Sequence, residues 1–237
     1  MLEKLLSKFF NFLFPSFCFK CNKLLSEKEV LFCSSCLPTL PLAKSYCDKC
    51  GTLLSETLLE HFSPESLTYC SFCEHEKLYY DKAYLGFQYK EPLRELLHKV
   101  KFKEDFSLAY HLGKLLRKVC KVNLKYYDII TPVPLSLKRE RERGYNQSLL
   151  ILWGYAGIQL PSRVLVRVKH TRPQSELNEK ERFENIKNAF SILEDLTGKR
   201  VLIVDDIMTT GATLREASKI LKKAGAKEVH LLVFARA

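Results

Sequence analysis

Residues 201–213 read VLIVDDIMTTGAT. Four apolar residues predict a buried strand, and Asp205 and Asp206 stand at its carboxyl end. Thr209, Thr210, Gly211, Ala212 and Thr213 then form a Thr/Gly-rich turn, and a helix begins. In an open parallel sheet this edge is where ligands bind. The turn offers backbone N–H groups and hydroxyls, and the helix start adds partial positive charge, so a phosphate monoester fits there. Gly211 lets the backbone approach it closely. Ionised Asp205 and Asp206 only accept hydrogen bonds, which suits ribose hydroxyls or the hard cation Mg2+. One segment thus holds a phosphate at one end and a ribose at the other, the layout of a ribose-5-phosphate site. The plain alternative is a strand–turn–helix with two exposed acids. It accounts less well for two acids and T-T-G-A-T in one register.

Two cationic segments are the natural partners of such a site. Residues 130–147 read ITPVPLSLKRERERGYNQ, and Lys138, Arg139, Arg141 and Arg143 follow the Pro-rich turn. Bidentate arginines suit pyrophosphate, and Arg139 and Arg143 are the candidates. The competing reading is a solvated helix whose Glu140 and Glu142 neutralise part of the patch. Residues 169–187 carry His170, Arg172, Gln174, Arg182 and Asn185 without a clear apolar stripe. That segment reads as a lid over a ligand, with Arg172 touching it, or as an ordinary surface helix.

Eight of the nine cysteines form four C-x-x-C pairs: Cys18/Cys21, Cys33/Cys36, Cys47/Cys50 and Cys70/Cys73. A two-residue spacer points both sulfurs at one ion, and zinc thiolates fit a reducing cytoplasm. Two structural Zn2+ sites are expected. Sequential pairing joins the first two pairs and the last two; a crossed pairing of first with third stays open. An iron–sulfur cluster is the minor alternative. His61 and His75 are surplus to eight thiolates. Cys120 reads as a buried small hydrophobe.

The elements around these residues alternate. Strands are expected at 83–89, 128–131, 163–168, 201–204 and 229–235, with helices at 91–102, 106–122, up to about 155, and 213–224. Alternation of this kind implies an α/β fold, a mainly parallel sheet with helices on both faces. The domain reading is an amphipathic helix at 1–17, a zinc module at 18–75 and the α/β domain at 81–237. The first is too short and too charged to span a bilayer and lacks a signal-peptide cleavage site. It reads as a helix packed on protein, or as a peripheral membrane contact.

The net charge of +11 is uneven. Residues 1–80 hold 8 Lys/Arg against 9 Asp/Glu, while residues 81–237 hold 30 against 18. The basic domain suits a polyanion such as a nucleotide-like phosphate or a nucleic acid, or simply has a solvated Lys-rich surface.

Residues 201–213 closely resemble the type I phosphoribosyltransferase signature. That resemblance implies binding of 5-phosphoribosyl-1-pyrophosphate with Mg2+, Asp205 and Asp206 on the ribose hydroxyls, and 209–213 around the 5-phosphate. Where purine-salvage members place a catalytic Asp, this chain has Thr209. A narrower resemblance adds the cysteine pairs, LHKVKF at 97–102, VPLSLKRERERGYNQ at 133–147 and TRPQSELNEKERFENIKNAF at 171–190. In that order they resemble the ComF family of competence proteins over about residues 18–237. The resemblance implies a double zinc ribbon before a phosphoribosyltransferase-like domain. It also implies a cytoplasmic role in uptake of transforming single-stranded DNA beside other competence proteins. The acceptor is unassigned, and a non-catalytic role regulated by phosphoribosyl pyrophosphate is the alternative.

Overall fold

The structure, a computed structural model, describes residues 16–54, 70, 73, 76–102, 105–157, 162–171 and 177–237. The expectations for residues 1–15, His61, His75, Arg172 and Gln174 lie outside the described residues. Contacts divide the chain into two compact units, Met1–Pro41 and Leu42–Ala237.

In the larger unit, long apolar runs make strands buried on both faces. β1 (Lys82–Gln88), β2 (Ile129–Pro132), β5 (Arg200–Met208) and β6 (Glu228–Arg236) form one sheet in the order β1-β6-β5-β2. Every pairing in it is parallel. Val201 to Val204 and Leu231 to Ala235 are fully buried, as a sheet covered on both sides requires. The expected mainly parallel α/β architecture is the one observed.

Among the described residues six α-helices accompany the strands: α1 (Leu93–Phe102), α2 (Phe106–Val119), α3 (Leu137–Arg143), α4 (Gln147–Ala156), α5 (Glu179–Ile186) and α6 (Ala212–Lys223). Asp105 caps α2, its carboxylate accepting from the Leu108 N–H at 2.9 Å. The helix expected over 106–122 stops at Val119, because Cys120 turns extended. Cys120 is buried, and burial raises its thiol to about 11, which fits a packing role. Residues 163–168 do contain a strand, β3 (Leu165–Arg167), but it pairs antiparallel with β4 (Phe190–Ile192) in a separate two-stranded sheet.

α2 and α4 cross at two glycines. A Cβ on Gly154 would lie 1.8 Å from the Tyr110 carbonyl oxygen, and one on Gly113 would lie 2.0 Å from that of Ile151. Only hydrogen at both positions allows the helices to approach this closely. Gly154→Ala should therefore cost about 2 kcal/mol or more of unfolding free energy, in the range of overpacked cores. Urea denaturation measures it.

Candidate functional site

β2 stops early. Its register runs to Pro132 opposite Val204, and the Val133 N–H closes on the Val204 carbonyl at 2.9 Å. Beyond that point no strand among the described residues pairs with β5 on its β2 side, while β6 continues alongside to Arg236. Asp205 and Asp206 therefore stand within a strand longer than the expected 201–204, at an edge that opens into a cavity. The cavity holds about 540 Å³, a size usual for small-molecule sites.

Both acids are buried, at 7% and 8% exposure. Asp205 Oδ1 accepts from Ser148 Oγ at 2.8 Å and from the Asp206 N–H at 3.0 Å. Asp206 Oδ1 accepts from the Ile207 N–H at 2.8 Å, and its Oδ2 lies 3.0 Å from the Lys101 ammonium. Burial, then the charge of Asp206, pushes the Asp205 carboxyl up to about 7.

The loop 209–213 lines the same cavity. Gly211 is the N-cap of α6 with φ +77°, a left-handed conformation that glycine adopts without strain. Gly211 has no side chain to cap this helix; the Ala212 N–H donates to Thr210 Oγ1 at 3.4 Å, and the first turn brings the positive end of the helix dipole to the cavity. The loop is held from behind by Arg236, whose guanidinium donates to the Met208 carbonyl at 3.0 Å and to the Thr209 carbonyl.

Arginines line the cavity as well. The segment KRERER is a helix, as one reading had it, with Lys138 and Glu142 3.9 Å apart. Arg139 and Arg143, one turn apart, nevertheless line the cavity. Arg182 reaches it from α5, whose start is a capping box between Asn178 and Glu181. Arg167 comes from β3. Burial, then the like charge of Arg139, lowers its guanidinium to about 10. Arg167 Nε and Gln147 Nε2 are buried without a hydrogen-bond partner among the described residues. Two such donors beside a cavity fit a ligand that brings acceptors.

Sequence reasoning did not single out Lys101, Ser148, Arg167 or Arg236. Ser148 immediately follows GYNQ, and Lys101 lies within LHKVKF, so each sat at a motif already noticed.

The cysteines assemble in sequential order. The sulfurs of Cys18, Cys21, Cys33 and Cys36 all lie within 4.8 Å of one another, as do those of Cys47, Cys50, Cys70 and Cys73. Sulfur separations of 3.7 Å (Cys21–Cys33), 3.5 Å (Cys47–Cys73) and 3.3 Å (Cys50–Cys70) are far too long for disulfides. They approach the roughly 3.8 Å edge of a tetrahedron with Zn–S bonds of about 2.3 Å. Four thiolates in each cluster fit a closed structural zinc site.

The two clusters belong to different units. The second is built into the unit that carries the sheet. Leu42 bridges Phe87, the Ala43 N–H donates to the Gly86 carbonyl at 3.1 Å, and the Ala83 N–H donates to the Asp48 carbonyl at 2.7 Å. These contacts cover the edge strand β1. Arg215, in the first turn of α6, pairs with Glu76 at 2.8 Å, just beyond Cys73.

A parallel sheet, a Thr/Gly loop leading into a helix and an acid pair at the strand end define a phosphoribosyltransferase-type domain, here accompanied by zinc-ribbon clusters. The family model "Phosphoribosyl transferase domain" matches residues 157–237, and "Double zinc ribbon domain" matches residues 9–76. "Competence protein F" of Haemophilus influenzae is 36% identical over 198 residues, covering 73% of this chain and 86% of that protein. "DNA utilization protein YhgH" of Escherichia coli K12 is 34% identical over 158 residues, covering 62% and 69%. "Competence protein ComFC" of Streptococcus pneumoniae is 31% identical over 145 residues, covering 60% and 63%. The chain belongs to the ComF family of competence proteins. Among the described residues no helix is long and apolar enough to cross a membrane.

Two outcomes follow from this geometry. Cys36→Ser should lower zinc content by one equivalent and leave the melting of the sheet-bearing unit in place. Cys73→Ser should lose one equivalent and also lower that melting temperature; metal analysis with calorimetry separates them. The second outcome concerns pH. A carboxyl raised by burial binds its proton more tightly folded than unfolded, so ligand-free stability is lost as pH rises from the ordinary carboxylate range through about 7. Asp205→Asn should remove that decline, as thermal melts across pH would record.

Proposed function

We propose that the cavity binds 5-phosphoribosyl-1-pyrophosphate with Mg2+. The 5-phosphate sits on Thr209, Thr210, Gly211, Ala212 and Thr213. The ribose hydroxyls meet Asp205 and Asp206. The diphosphate lies toward Arg139 and Arg143, with Arg172 as a third cation, and toward Arg167 and Arg182. Mg2+ supplies charge neutralisation for the diphosphate and the acids. One observation carries the reading: a buried acid pair, the Thr/Gly-rich start of a helix and a set of arginines line one cavity at the carboxyl ends of the strands. Isothermal titration with phosphoribosyl pyrophosphate and Mg2+ tests it. Heat of binding is expected for the native protein, and at least a hundredfold loss for Asp205→Asn/Asp206→Asn with zinc content unchanged. Equal binding by the double variant would refute the assignment.

A second reading is favoured by Thr209, which lacks the carboxylate of an acid–base catalyst. Here the ligand regulates a DNA-handling protein and is not turned over. Binding without pyrophosphate release across an acceptor panel would support it. The names of the relatives, competence protein F and DNA utilization protein, support a role in uptake of transforming DNA. The basic balance of residues 81–237 supports contact with single-stranded DNA. Anisotropy of a labelled oligonucleotide should then show affinity falling steeply with salt. A flat response would remove DNA from the account.

A further inference from the structure

The LHKVKF segment precedes the span matched by the phosphoribosyltransferase family model, yet its Lys101 lines the cavity. The apolar face of α1 is buried through Leu93, Leu96, Leu97 and Val100. The Tyr145 hydroxyl, from the RGYNQ turn, donates to the Val100 carbonyl in the last turn of α1. The backbone of Lys101 is thereby anchored from two sides. Its ammonium meets Asp206 Oδ2 at 3.0 Å, with only 26% and 11% of the two side chains exposed. Asp206 Oδ1 is already taken by the Ile207 N–H at 2.8 Å. Both oxygens of Asp206 are therefore engaged before any ligand arrives.

We propose that Lys101 is a built-in counter-cation for Asp206, which a divalent metal must displace. The inference rests on the reading of Asp206 as a ligand-facing acid. A metal ion and an ammonium seek the same oxygen, and their like charges repel strongly at contact distance in a partly dry site. Metal alone is a poor competitor for that position. A phosphorylated ligand changes the balance, because its oxygens give the released ammonium a new partner. Metal and ligand then bind as a coupled pair, each tightening the other by the same factor. Lys101 is a positioning residue acting through Asp206.

The test uses full-length, zinc-loaded protein and the electron paramagnetic resonance signal of free Mn2+, read without any turnover. For the native protein, Mn2+ alone should bind weakly, and phosphoribosyl pyrophosphate should tighten it about tenfold or more. Lys101→Met should bind Mn2+ alone about tenfold more tightly than the native protein, and its tightening by the ligand should shrink. Lys101→Arg should restore the native pattern. Adding Asp206→Asn to Lys101→Met should erase the gain. If the methionine variant fails to fold, Lys101→Gln serves the same comparison. Mn2+ affinity in the neutral variant equal to or below the native value overturns the proposal. The two readings fail separately: a native protein that ignores phosphoribosyl pyrophosphate defeats the functional reading, while the Mn2+-only comparison still decides the role of Lys101.

Discussion

Two adjacent carboxylates buried at the open end of a strand must be given counter-charge and hydrogen bonds, or the strand end cannot stay dry. Burial alone costs an unpaired carboxylate several kcal/mol. The fold meets this demand from three separate segments. Ser148 donates to Asp205 from α4, Lys101 pairs with Asp206 from α1, and the strand's own N–H groups close on both acids. The remainder of the sheet-bearing unit can be understood as what holds those segments in place. The glycine crossing packs α4, the helix that carries Ser148, closely on α2, and the Tyr145 contact to α1 ties the turn before α4 to the helix that carries Lys101.

The same logic extends to the other charges of the site. The acid pair and several guanidiniums line the same cavity, with Arg167 near enough to Asp205 to feel its charge. Arg139 and Arg167 stand close enough for each to disfavour the other's charge. Such repulsion is tolerable in a cavity that receives an anion and wasteful in one that does not. The loop 209–213 lines the same cavity, and Arg236 holds its start through the Met208 and Thr209 carbonyls. The second cysteine cluster contributes at a distance. It covers β1, and through Glu76 it braces Arg215 at the beginning of the helix that follows the loop.

Much of this was legible in the sequence because it is local. VLIV reads as a buried strand, TTGAT as a turn into a helix, and four C-x-x-C pairs as metal clusters, each from spacing alone. Arg139 and Arg143 were legible from their bidentate chemistry; the helix they form adds that, four residues apart, they share one face. What escaped depends on contacts between distant segments. Nothing in a lone lysine at 101 or a serine at 148 announces an acid more than fifty residues away. The extension of β5 to Met208 follows from β6 running alongside, which the sequence of β5 does not contain. β4 is three residues long, too short for periodicity, so the antiparallel pairing of β3 could not be read either. The attachment of the second cysteine cluster to β1 is carried mainly by backbone hydrogen bonds, which leave no residue-type signature.

The most direct measurement is a crystal structure of the zinc-loaded protein grown with phosphoribosyl pyrophosphate and Mg2+. The account predicts the 5-phosphate on the backbone of residues 209–213 and the ribose hydroxyls within hydrogen-bond reach of Asp205 or Asp206. The diphosphate should lie among the arginines. A ligand seated elsewhere, or acids still closed on Ser148 and Lys101 at saturating ligand, would contradict it.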